Sequence, residues 1–63
     1  MNGKQVTAKL KAAGWSLSHI TGSHHIMHKD GAPRDVPVPV HGTKDLGNGL
    51  VASIQRQTGV ILK

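Results

Sequence analysis

The chain contains no cysteine, tyrosine or phenylalanine, and Trp15 is its one aromatic residue. Without thiols there is neither a disulfide framework nor a thiolate metal site, a composition that the cytoplasm permits. A single indole also excludes a platform on which successive bases could stack. Long apolar runs are missing as well. No stretch approaches the roughly 20 residues that span a bilayer, and Met1-Asn2-Gly3-Lys4-Gln5 lacks the apolar centre of a signal peptide. These absences predict a soluble, cytoplasmic protein. Acidic residues are scarce too, three against eight Lys and Arg, for a net charge of +5 over 63 residues. A polyanion is the partner class this charge suits, although it is spread along the chain with no polybasic tail. No internal repeat, low-complexity tract or linker interrupts the chain, and residues 41 to 48 are its longest irregular piece. A chain this short makes one domain, 1–63, and buries only about 60% of its unfolded surface, so a bound partner matters for its stability.

The first element reads as a helix over residues 3–13. Asn2 caps it and Gln5 completes a capping box, while Gly14 stops it. Val6, Leu10 and Ala13 share the inward face, with Lys4, Thr7, Ala8 and Lys11 opposite. Trp15 to Thr21 then alternates as a half-buried strand. Gly22-Ser23 supplies a two-residue type II′ turn, and a second strand runs from His24 to Lys29. In that register Thr21 faces His24, His19 faces Ile26 and Leu17 faces His28, all on the face of Trp15, which puts His24 at the rim of the core face. The third strand, residues 34–40, points its valines one way and its prolines the other. Proline donates no ladder hydrogen bond, so this strand belongs at an edge. A second helix runs from Asn48 or Gly49 to Thr58, with Leu50, Val51 and Ile54 inward and Gly59 as its left-handed stop. The expected fold is α+β: an α-β-β-β-α order, a three-stranded antiparallel meander with both helices on one face. This is the element order of the double-stranded-RNA-binding-domain fold.

Leu10, the Gly14-Trp15 pair, Gly22-Ser23-His24-His25, Val38-Pro39-Val40-His41-Gly42, Lys44-Asp45-Leu46 and the run from Gly49-Leu50 through Ser53-Ile54 to Gly59-Val60 occur in an order and spacing that cover almost the whole chain. In these residues the sequence resembles the HicA family of bacterial toxins. It departs from the family near Met27, where the family often has an aromatic residue, and at Gly47-Asn48, where a proline often precedes the last helix. The resemblance implies the toxin of a type II toxin–antitoxin system. It implies a metal-independent ribonuclease that cleaves mRNA and so inhibits translation, with no cofactor, neutralised by a HicB-type antitoxin that covers the active site. By the same resemblance the catalytic residue is the histidine directly after Gly-Ser, here His24.

The residue chemistry supports this independently. Cleaving RNA without a metal requires removal of the 2′-hydroxyl proton, stabilisation of charge on the phosphate and protonation of the departing 5′-oxygen. Imidazole suits either proton step. His24 is therefore expected to act as general base or general acid. Lys44 and the backbone N–H groups of Gly22, Ser23 and the start of the second helix would hold phosphate. Lys4 and Lys11 on the first helix would meet RNA through its backbone and 2′-hydroxyls rather than its sequence. His25 is expected on the opposite sheet face as a surface or partner contact, His19 and His28 as polar cross-strand residues, and His41 either near the site or stabilising its loop. Zinc could take three imidazoles, but His24 and His28 lie roughly 13 Å apart along one strand and no carboxylate motif accompanies them, so no metal is assigned. Two other function classes fit the same composition. One is a non-catalytic RNA-binding module, which leaves RNA intact. The other is a protein-interaction domain whose Ile20/Met27 surface meets an acidic partner.

Overall fold

The computed structural model describes residues 1–62; Lys63, the last residue of the expected domain, lies outside the described residues. The elements are α1 (Gly3–Ala12), β1 (Ser16–Thr21), β2 (His24–His28), β3 (Val36–Pro39) and α2 (Asn48–Thr58). The three strands form an antiparallel sheet in the order β1-β2-β3. The α-β-β-β-α order and the α+β class follow the sequence expectation. The capping box is formed, with the Gln5 N–H donating to Asn2 Oδ1 at 2.9 Å and the Asn2 N–H to Gln5 Oε1 at 2.8 Å.

The core gathers Val6 and Leu10 of α1, Trp15, Met27, Val36, Val38, Val51 and Ile54 of α2, and Leu62. Three expected facings are corrected. Ala13 is exposed because it is the C-cap of α1, past the last inward turn. Thr7, expected outside, is buried, and its hydroxyl is satisfied by donating to the Lys4 carbonyl at 3.0 Å. Leu50 sits at the exposed start of α2, so Val51 and Ile54 alone carry that helix's buried face.

The larger correction concerns the sheet. Thr21–His24 and His19–Ile26 pair as expected, but a bulge between Leu17 and His19 sets Leu17 opposite Met27 and Ser16 opposite His28. An extra residue reverses the facing of everything beyond it. Carrying the parity of Trp15 and Leu17 across Ser18 therefore assigns the wrong face to the rest of the hairpin. Met27 is fully buried, and its neighbour on β3 is Val36, while His25 is paired with Val38. His25 and Met27 thus lie on the helix side. His24, Ile26 and His28 lie on the open side, beside Pro39 and Pro37 of β3. His24 is not at the rim of the core face, His25 is half-buried rather than a free surface residue, and Met27 is unavailable to a partner. The valines of β3 point inward and its prolines outward, at the sheet edge, as expected.

Trp15 is 4% exposed, and its Nε1–H has no hydrogen-bond acceptor among the described residues. A buried unpaired donor costs about 1–3 kcal/mol, close to what is lost when an indole is trimmed to a phenyl ring. Trp15→Phe is therefore expected to change unfolding free energy by less than about 1 kcal/mol in a urea titration.

Candidate active site at the hairpin end

Gly22, with φ of 59°, and Ser23 close the β1–β2 hairpin, and among the described residues no non-glycine residue takes a positive φ. That combination is a type II′ turn, which needs glycine only at its first central position. The ladder extends past β3, because the Val40 N–H donates to the Ser23 carbonyl at 2.8 Å. Ser23 Oγ in turn shares a 3.3 Å hydrogen bond with His41 Nε2. A short turn follows in which the Lys44 N–H donates to the His41 carbonyl at 3.0 Å, bringing Lys44 back beside His41.

The helix N-termini meet this end of the sheet. Gly3 lies against the Pro39 carbonyl and Val40, so α1 begins beside the strand residue that pairs with His24. Asn2 bridges to Asp45, and the Leu46 N–H donates to the Met1 carbonyl at 2.8 Å, which brings the start of α2 to the same place. The terminal ammonium of Met1 lies 3.5 Å from Asp45. The two helix starts differ in one respect. At α1 Asn2 occupies the first-turn N–H of Gln5, whereas the N-cap of α2 is Gly47, with no side-chain hydrogen bond. The leading N–H groups of α2 are left for an external acceptor.

His24, Ser23, Gly22, Lys4 and Lys44 thus belong to one end of the molecule. Lys11 does not: it sits two turns further along α1, roughly 10 Å from Lys4 and toward the opposite end of the sheet. The His24 imidazole is exposed and has no hydrogen-bond partner among the described residues. The sequence alone is compatible with His41 either near the site or stabilising its loop. The signal for its placement lay in the Val38-Pro39-Val40 alternation, which carries the β3 ladder up to the hairpin turn.

The remaining histidines do other work. His19 Nδ1 meets the hydroxyl of the adjacent Ser18 at 3.1 Å. His28 is held through Nδ1 by Asp35 at 2.7 Å and through Nε2 by Asp30 at 3.2 Å. The carboxylates occupy opposite edges of the ring, so the trio does not converge on one point; among the described residues no group of three such side chains could hold a metal ion. The hydrogen bond to Asp35, then that to Asp30, raises the His28 pKa above its ordinary 6.5. A raised folded-state pKa contributes stability that is complete below the unfolded value, about 6.5, and is lost as pH rises through the folded value. Melting temperature is accordingly expected to decline as pH rises above about 6.5, and Asp35→Asn is expected to flatten that decline. The pair is exposed, so the effect is small.

The model of the family described as HicA toxin of bacterial toxin–antitoxin systems matches residues 3–60. The chain belongs to the HicA toxin family. The match takes in every element that builds the hairpin end, from Gly3 of α1 to Gly59 after α2. As a HicA-family protein this chain is the toxin of a toxin–antitoxin system, and its cognate partner is an antitoxin. No curated protein matches the chain. Among the described residues, no helix of this HicA-family toxin is long and apolar enough to cross a membrane.

Proposed function

We propose that this HicA-family toxin is a metal-independent endoribonuclease that cleaves mRNA in the cytoplasm, with His24 as its catalytic residue. The observation that carries the reading is the free His24 imidazole on the open sheet face, at the end where Lys44 and the uncapped start of α2 collect positive potential. The imidazole takes or gives the proton. Lys44, Lys4 and the N–H groups of Gly22, Ser23 and α2 hold the phosphate, and the charge developing on it in the transition state is met by donors already in place. A single positioned acid or base contributes about 10²–10⁴-fold, which makes this a slow enzyme. Lys11, far from that end, serves RNA only outside the cleavage site.

A HicB-type antitoxin would silence such a site by covering the hairpin end. The exposed side chains of Leu17 and Ile20 on β1, 40% and 54% accessible, support a protein contact running along that strand toward the turn. The experiment that tests the reading is incubation of the purified chain with a mixed mRNA in excess EDTA. Fragmentation is the expected result. RNA that is bound in a salt-dependent manner but left intact would instead identify a non-catalytic RNA-binding module.

A further inference from the structure

We propose that His41 is the second proton-transfer group of the same reaction, working opposite His24. The inference rests on the ribonuclease reading above and deepens it. Among the described residues, the side-chain contact that joins the segment after β3 to the hairpin turn is the one between Ser23 Oγ and His41 Nε2. Ser23 precedes His24 directly, and His24 is the cross-strand partner of Pro39, two residues before His41. A paired Cα distance of about 5.5 Å plus two residues of extended chain keeps the Cα atoms of His24 and His41 within about 13 Å, a span that two imidazole side chains can bridge around one phosphodiester.

The partner of His41 also suits the task. A hydroxyl both donates and accepts, so Ser23 can hold the His41 ring whether that ring is neutral or protonated, and Nδ1 stays open. His28 is the contrast: carboxylates sit on both of its nitrogens and favour its charged form. The charged residues that follow His41 in the chain are Lys44, on the same turn, and Asp45, which faces the Met1 ammonium. The Lys44 backbone returns to the His41 carbonyl, so the residue given the phosphate-holding role starts from the same turn as the second imidazole.

The reaction balances with these groups alone. The 2′-oxygen forms a bond to phosphorus as the bond from phosphorus to the 5′-oxygen breaks. One imidazole receives the 2′-hydroxyl proton, and the other, as imidazolium, gives its proton to the departing 5′-oxygen. The products are a 2′,3′-cyclic phosphate and a 5′-hydroxyl, and exchange with water resets both rings.

The test compares His24→Ala, His41→Ala, His41→Asn and wild type on two RNA oligonucleotides. One is normal; the other carries sulfur in place of the 5′-bridging oxygen at the mapped cleavage position, so that its leaving group departs without a proton. His41→Ala and His41→Asn are expected to lose about 10²–10⁴-fold on the normal substrate while keeping the wild-type circular dichroism and melting curve. The sulfur substrate is expected to restore most of the lost rate to one of the two histidine deletions and not to the other. An undiminished rate for His41→Ala or for His41→Asn overturns the proposal, since asparagine can keep a hydrogen bond to Ser23 but carries no titrating proton. Loss in His41→Ala with neither deletion rescued by sulfur also overturns it, reducing His41 to a positioning residue. A wild-type protein that cuts neither substrate overturns the ribonuclease reading itself, whereas failure of the His41 proposal alone leaves wild type active and His24→Ala impaired.

Discussion

His24→Ala is expected to lower the rate of RNA cleavage by about 10²–10⁴-fold, the usual worth of one positioned acid or base, with little change in stability. The two halves of that expectation come from the same geometry. His24 is exposed, its imidazole makes no hydrogen bond among the described residues, and alanine keeps the backbone pairings with Thr21 and Pro39. A surface truncation of this kind shifts stability by no more than about 0.5 kcal/mol. RNA affinity should fall far less than turnover, because the proposed mechanism gives phosphate to Lys44, Lys4 and backbone N–H groups rather than to the imidazole. Single-turnover cleavage and equilibrium RNA binding, measured on the same protein preparation, separate these effects. Equal losses in both would mean that His24 serves binding, not proton transfer.

Gly3→Ala is expected to be the most destabilising single-methyl change in the chain. A Cβ at position 3 would run into the Pro39 carbonyl and stand 2.9 Å from both the Cα and a Cγ of Val40. Two of these obstacles are backbone atoms, which no rotamer change can move aside. Ordinarily alanine stabilises a helix relative to glycine by about 1 kcal/mol. Here overpacking dominates, at about 2–3 kcal/mol, which in a domain of this size lowers the melting temperature by roughly 10–20 °C. The consequence extends to function, because the α1 contact with Pro39–Val40 sets the strand end that carries His41 and pairs with His24. Thermal unfolding followed by circular dichroism checks the first effect. An unchanged melting temperature would mean that α1 docks elsewhere.

Much of this arrangement was legible in the residues. Asn2 and Gln5 announce the start of α1, Gly22-Ser23 the hairpin, the prolines of β3 an edge strand, and Gly59, at φ of 73°, the end of α2. Each is a local signal whose physics needs no distant partner. The facing of His24 was not legible, because it depends on the bulge at Ser18, and Ser-Leu-Ser-His carries nothing that marks an extra residue. With one apolar residue on each face of β2, Ile26 and Met27, composition does not choose between them; pairing with Val36 and Val38 does. The position of His41 was hidden for a similar reason: its contact with Ser23 spans 18 residues and forms only after three strands have paired. The GSHH motif itself was visible from the start, whereas the arrangement of Lys44 and the open N-terminus of α2 around the same end is a property of the assembled fold.

The measurement that bears most directly on the central claim is the identity of the RNA ends produced by wild type and His24→Ala in excess EDTA, read by mass spectrometry. Fragments ending in 2′,3′-cyclic phosphate and beginning with 5′-hydroxyl, made by wild type and not by His24→Ala, are the predicted result. Equal cleavage by both proteins, or no cleavage by a folded wild type that still binds RNA, would contradict it.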